Sequence, residues 1–243
     1  RSDTMKFSEL EYQRPDLDLL KEDFFNQISL IEKAEEAEVA LKATKHIQEI
    51  QNTLGTLSTL VSIRNSINTK DSFYEEETAF WDEHFPIIGE WDTAYYRAVL
   101  GSKWRSELEN YLPETFFPMA ENSLKVFSPE IIPLLQQENK LSTEYSKLQA
   151  SAEIEFQGQT YNLPGMAKFA QDSDREVRRQ ASELVSAFYN EHEAEFDRIY
   201  DQLVKVRDQI AKTLGFKDFV EVGYLRMNRL DYNRQQVEVY RQE

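Results

Sequence analysis

Apolar residues recur every three or four positions along most of the chain, the spacing that puts them on one face of an α-helix. From Asp16 to about Ala34 they fall at Leu17, Leu20, Phe24, Ile28 and Ile31, which predicts a first helix. A second pattern runs from about Glu36 to Ile67 through Val39, Ile47, Ile50, Leu54, Leu57 and Val61. Gly55 sits inside it at a cost of roughly 1 kcal/mol. Asp71 or Ser72 then caps an aromatic segment with Phe73, Tyr74, Phe80, Trp81 and Phe85, which Pro86 is expected to kink or to divide. A further helical stretch from Glu90 to Leu112 carries Trp91, Tyr95, Tyr96, Val99 and Trp104. Pro113, Pro118 and Pro129 break the next stretch into short pieces, until Ser128-Pro129 opens a helix through Leu134, Leu135, Leu141, Tyr145 and Leu148.

The period changes once. Between Ser151 and Leu163, Ala152, Ile154 and Phe156 alternate with polar residues before Gly158, and Tyr161 and Leu163 alternate after it. Alternation around Gln157-Gly158 predicts a β-hairpin, whose apolar face must pack on helices because an isolated hairpin is marginal in water. Ser173 and Glu176 then form an S-x-x-E capping box for a helix of about forty residues that stops at Leu214-Gly215, roughly 60 Å at 1.5 Å per residue. A shorter helix runs from Lys217 to about Asn228, and Asp231 or Asn233 caps a last one with Val237 and Tyr240. That helix meets no stop signal before Glu243, so the chain is expected to continue.

The fold class that results is mostly α, a long-helix array with one small β-hairpin. Two regions are expected, a helical one over residues 5–150 and one over 151–243 that holds the hairpin and the later helices. Seven Gly and seven Pro in 243 residues suit long helices better than a turn-rich β or dinucleotide-binding fold. No fixed repeat of the length that builds solenoids is present. Met5, with KFSELEY after it, reads as a natural start, which sets Arg1 to Thr4 outside the functional argument.

Charge narrows the partners. The formal net charge is -16, with the acidic excess concentrated before the hairpin, so nucleic acid and anionic membrane surfaces are repelled. With no cysteine, thiolate metal sites, disulfides and cysteine nucleophiles are excluded. No apolar run is long enough for a membrane span, and the start has no signal-peptide core, so a soluble cytoplasmic protein is expected.

Several constellations invite chemistry. His192-Glu193-Ala194-Glu195-Phe196 begins like the zinc motif H-E-x-x-H, but Phe196 stands where the second histidine belongs, and a solvated acidic helix face is the better reading. Glu75, Glu76 and Glu77 read as a solvated charge run rather than paired carboxylates, because neighbours on a helix diverge. His84 beside Trp81 and Phe85 reads as a packed residue rather than a general base. Trp81, Trp91 and Trp104 at helical spacing read as core rather than as a peptide groove. Asp174, Arg175, Arg178 and Arg179 read as intrahelical pairs with Glu176 and Glu183 rather than as an anion clamp. The hairpin reads first as an ordinary structural hairpin, with a sharper option beside it, since an exposed strand edge pairs main chain to main chain with an extended peptide. No phosphate-cradling, dinucleotide, serine-hydrolase or calcium-loop motif is present.

Three segments, in order, resemble the N-terminal half of the oligoendopeptidase F family, a thimet-oligopeptidase-like branch of the zinc metallopeptidases. They are TKDSFYEEETAFWDEHFP (Thr69 to Pro86), AEIEFQGQTYNLPGMAKFAQDSDREVRRQASELVSAFY (Ala152 to Tyr189) and RDQIAKTLGFKDFVEVGYLRMNRLDYNRQQVEVYRQ (Arg207 to Gln242). The last is the most specific, from its LGF to its RMNRLDY.

The resemblance implies the N-terminal part of a channel-enclosing, zincin-type endopeptidase that admits short unfolded peptides. In such enzymes one Zn2+ is held by H-E-x-x-H and a downstream Glu, both C-terminal to the segment matching Arg207 to Gln242. Zinc ligands are therefore expected beyond Glu243, and no catalytic, metal-binding or substrate-binding residue is carried over onto this chain. The implied partners are short peptides and the C-terminal catalytic domain of the same protein, and the 243-residue chain alone is expected to be inactive. A second reading, a non-catalytic helical scaffold that holds a peptide or protein, remains open from the residues alone.

Overall fold

The computed structural model describes residues 6–243, so the start suggested at Met5 lies outside the described residues. Among them are eleven α-helices and one two-stranded sheet. The chain forms two compact units, one up to Pro133 together with Ile210–Glu243, the other Leu134–Gln209.

The first unit is organised by three helices. Helix α1 (Leu17–Lys33) starts where the Asp16 carboxylate accepts the Leu19 N–H, and it buries Phe24, Ile28 and Ile31. Helix α2 (Ala37–Ile67) buries Ile47, Ile50, Leu54 and Val61. It is tied to α1 by His46, whose Nε2 lies 2.7 Å from the Asp23 carboxylate. Asp71 accepts the N–H groups of Phe73 and Tyr74 to open α3 (Ser72–Leu100), which runs unbroken through Pro86. The expected division there does not occur. Proline removes one intrahelical hydrogen bond at a cost of roughly 3 kcal/mol. Pro86 lies in the buried stripe with Trp81, Ile88, Trp91 and Tyr95, and each large apolar side chain so buried contributes about 1.5–3 kcal/mol. Packing outweighs propensity, and the expected Glu90–Leu112 helix becomes the second half of α3 and then the short α4 (Arg105–Glu109).

Helix α5 (Phe116–Lys125) adds Phe117 to the same core. Ser128 stands at the N-cap with Pro129 in the first turn, as expected, but that turn is a 3-10 one, Pro129–Ile131, ahead of α6 (Ile132–Ala150), and the Ser128 hydroxyl makes no cap hydrogen bond and is buried without a partner. The C-terminal part of the unit holds α10 (Phe219–Arg226) and α11 (Arg234–Gln242), capped by Asp218 and by an Asn233/Gln236 capping box. Gly215, at φ 85, ends the helix before α10 with the Gly215 N–H on the Lys212 carbonyl and the Phe216 N–H on the Ala211 carbonyl. This is the paired C-terminal motif that glycine allows.

The second unit carries the hairpin. Strand β1 (Ile154–Phe156) pairs antiparallel with β2 (Gln159–Tyr161) in the register Ile154 to Tyr161 and Phe156 to Gln159. Gln157 and Gly158 both take positive φ, 51 and 78, the two-residue turn whose twist matches the strands. Ile154 and Phe156 pack on Met166 of α7 (Leu163–Met166), on Phe169, and on Ala181 and Phe188 of α8 (Arg175–Glu191). The helix of about forty residues expected from Ser173 is two helices, α8 and α9 (Glu193–Thr213), and its cap is Asp174, which accepts the Glu176 N–H at 2.8 Å. An aspartate matches serine as a cap and adds negative charge at the helix N-terminus. At His192 the backbone N–H and the ring both turn to the Phe188 carbonyl, and normal hydrogen bonding resumes with the Phe196 N–H on the His192 carbonyl.

Candidate functional site

The sequence-derived candidates separate into spent residues and one exposed edge. His192 stands without a second ligand beside it: Nδ1 lies 2.9 Å from the Phe188 carbonyl oxygen and its ring centre is 4.5 Å from that of Phe188. Glu193 and Glu195 are exposed, and Phe196, in the place of the absent second histidine, packs 5.8 Å from Tyr145 and 5.3 Å from Tyr189. His84 is likewise occupied, with Nδ1 2.7 Å from the Phe80 carbonyl and its ring stacked 4.2 Å from that of Phe80. Among the described residues no group of three or more His, Asp or Glu side chains is arranged to hold a metal ion. The described residues therefore do not fit a zinc site.

The tryptophans sit in packing roles. Trp81 and Trp91 are buried, and Trp104 donates its indole N–H to the Ala34 carbonyl at 3.0 Å. Of the arginine cluster, Arg179 is paired within its helix. Arg179 pairs with Glu176 and Glu183, holding the Glu176 carboxyl down at about 2, while Arg178 donates to the carbonyls of Asp172 and Ser173.

Glu75–Glu77 departs from the uniform charge run expected. Glu75 and Glu76 are exposed, but Glu77 is 4% exposed and receives Arg14 Nε at 3.1 Å on each oxygen. The Tyr12 hydroxyl donates to the same carboxylate. Hydrogen bonding from Arg14 outweighs burial and holds the Glu77 carboxyl below its ordinary range. The sequence carried a signal for this. Glu77 lies three residues after Tyr74 and four before Trp81, on the apolar stripe rather than the solvated face.

The hairpin leaves main chain accessible. In a two-residue hairpin the closing pair, Phe156 and Gln159, exchanges hydrogen bonds, so the N–H and C=O of the next pair, Glu155 and Thr160, point away from each other. Strand β1 is largely buried against α8, whereas Gln159 and Thr160 are exposed. Thr160 is thus the edge position where a third strand would add. Beside it, Lys168 lies 4.4 Å above the Tyr161 ring and 4.7 Å from the Phe169 ring centre, a cationic and aromatic flank. The first unit adds two open clefts. One, of about 590 Å³, has Glu114, Glu121 and Asp231 around Arg229. The other, of about 480 Å³, has Lys42, Lys45 and Tyr111 over Leu41 and Leu108.

Comparison with known proteins defines the class. The family model of the Peptidase M3 N-terminal domain matches residues 7–127, so this is an N-terminal region of a peptidase. A crystal structure assigned as oligoendopeptidase F from Bacillus anthracis str. Ames superposes on 99% of the chain with a TM-score of 0.94 at 45% identity, the match covering 44% of that protein. PZ peptidase A in complex with an inhibitor matches 98% of the chain at 45% identity and TM-score 0.94, over 42% of its own length. A third structure, also assigned as oligoendopeptidase F, matches 98% of the chain at 41% identity and TM-score 0.94, again over 42% of that protein. The chain belongs to the oligoendopeptidase F-like peptidases, of which it represents an N-terminal part. No match was found among curated proteins. No helix among the described residues is long and apolar enough to cross a membrane.

Proposed function

We propose that this chain is the non-catalytic N-terminal portion of a cytoplasmic, zinc-dependent oligopeptidase, and that in the intact protein it forms a wall of the channel that admits short unfolded peptides. The observation that carries this reading is the match of 98–99% of the chain to three peptidase structures at 41–45% identity. The zinc ligands and the catalytic glutamate are assigned to the part of the protein outside this chain, because its sequence carries no H-E-x-x-H and no group of His, Asp or Glu among the described residues is arranged to hold a metal ion. The contribution of these residues to the reaction is to bind and orient the peptide. The outward N–H and C=O of Thr160 suit an extended main chain, and two hydrogen bonds there hold substrate without reading its sequence.

Two measurements test this. The intact protein is expected to hydrolyse a short quenched fluorescent peptide and to stop when a zinc chelator is added; an intact protein inert to peptides contradicts the activity. Thr160→Pro in the intact protein removes the outward N–H at a place where an edge strand tolerates proline, and Thr160→Val, which removes only the hydroxyl that donates to Glu155, is its control. The proline variant should raise KM with kcat little changed, and an unchanged KM would take the hairpin out of the substrate path.

A further inference from the structure

Ahead of α1, the segment Leu10–Arg14 has no helix or strand of its own and is held by what it touches. The Tyr12 hydroxyl donates to the Glu77 carboxylate and accepts the Trp81 indole N–H at 3.3 Å. Its ring meets Phe73 edge-on at 6.1 Å and Tyr74 at 6.5 Å. Arg14 spans both Glu77 oxygens, with its guanidinium 4.6 Å above the Phe80 ring. Arg64 of α2 takes the Leu10 carbonyl and, at 2.9 Å, donates to the Tyr74 hydroxyl.

Three features of this contact are those of a receptor and an extended ligand. Tyr12 and Arg14 are two residues apart, so in extended chain both side chains fall on the same side. The Leu10 carbonyl is captured by an arginine without regard to its side chain, while Tyr12 and Arg14 enter defined aromatic and carboxylate positions; main-chain capture with alternate side-chain pockets is how extended peptides are recognised. The ion pair is also unequal: the Arg14 side chain is 50% exposed and that of Glu77 only 5%. The carboxylate is built into the helix surface and the arginine arrives from outside it.

We propose that the Glu77 face of α3, with Arg64 beside it, is a binding groove for an extended peptide segment bearing tyrosine and arginine two positions apart, and that the chain's own Leu10–Arg14 fills this groove in cis. The groove belongs to the first unit and the hairpin to the second, and the inference does not depend on the substrate-channel reading. A tethered segment competes at an effective concentration on the order of millimolar, so binding in trans is seen only when the strap is disarmed.

The experiment uses the full chain carrying Tyr12→Ala and Arg14→Ala, with helical circular dichroism confirming that α1 to α3 persist. Titration with the hexapeptide Leu-Glu-Tyr-Gln-Arg-Pro is expected to give a saturable change in tryptophan fluorescence, reported by Trp81. The wild-type chain, already filled, should bind about tenfold more weakly or less. Replacing the peptide arginine by alanine should weaken binding by about tenfold or more, as loss of a central charged anchor does. Adding Glu77→Gln to the disarmed chain should have the same effect. No saturable binding to the disarmed chain at up to about 10 mM peptide overturns the proposal. So does binding that ignores both the peptide arginine and Glu77. Should the double variant lose its helical signal, Arg14→Ala alone disarms the strap, and the arginine-free peptide stands in for Glu77→Gln.

Discussion

The Asp92 carboxyl lies among α2 and α3 side chains, where burial pushes its pKa up and one hydrogen bond from Gln51 at 2.7 Å pulls the other way. A carboxyl whose pKa is raised by folding supports the fold while protonated, and that support is lost as pH rises through the raised value. Asp92→Asn keeps the acceptor for Gln51 and removes the buried charge. It should raise the melting temperature at pH 7 by roughly 2–4 °C, for about 1 kcal/mol in a domain of this size, and leave it unchanged well below the carboxylate range. Thermal melts over a pH series check this, and a lower melting temperature at pH 7 would refute it. Glu77 has the opposite sign. Arg14 holds its pKa down, so its contribution is present above the usual carboxylate range and is lost as pH falls through the lowered value. The groups facing it are Tyr12 and Arg14, with Trp81 behind the Tyr12 hydroxyl and Glu76 next in sequence. Glu77→Gln should cost about 1–2 kcal/mol at pH 7, the scale of a hydrogen bond to a charged group, and progressively less in acid. Denaturant unfolding at two pH values measures it. The position of Glu77 on the apolar stripe was legible in the sequence; its pairing with Arg14 was not, because a contact across the fold leaves no local pattern.

At the scale of elements, periodicity and turn chemistry carry most of the information. The hairpin was legible because alternation and Gln157-Gly158 pointed to the same turn. Gly158 has open space around it, so Gly158→Ala meets no clash and pays only for its φ of 78, about 1 kcal/mol of stability lost, readable by urea unfolding. A neutral effect would mean that the turn relaxes to another type. Helix ends were less legible where a side chain chose between partners. One expected helix is two, parted at His192, and Asp174 displaced Ser173 as the cap of the first. At Pro86 the error ran the other way, since local propensity predicted a division that the buried stripe of α3 overrides.

The whole molecule is strongly acidic, and a field of one sign steers charged ligands in a way that salt screens. For the intact peptidase, raising salt should therefore slow cleavage of a cationic peptide more than that of a neutral one, and equal sensitivity would rule steering out. Family membership was legible from Thr69–Pro86, Ala152–Tyr189 and Arg207–Gln242, and so was the hairpin with its strand edge; that Thr160 is the outward-facing position was not, because it follows from the pairing register and not from residue type. The central claim is that these 243 residues are an N-terminal peptidase region with no metal centre of their own. Its most direct test is hydrolysis of a short quenched fluorescent peptide by the purified chain, with and without a zinc chelator. No turnover above buffer is expected in either arm. Chelator-sensitive turnover that survives removal of contaminating protease, and that falls when His192 is replaced, would contradict the claim.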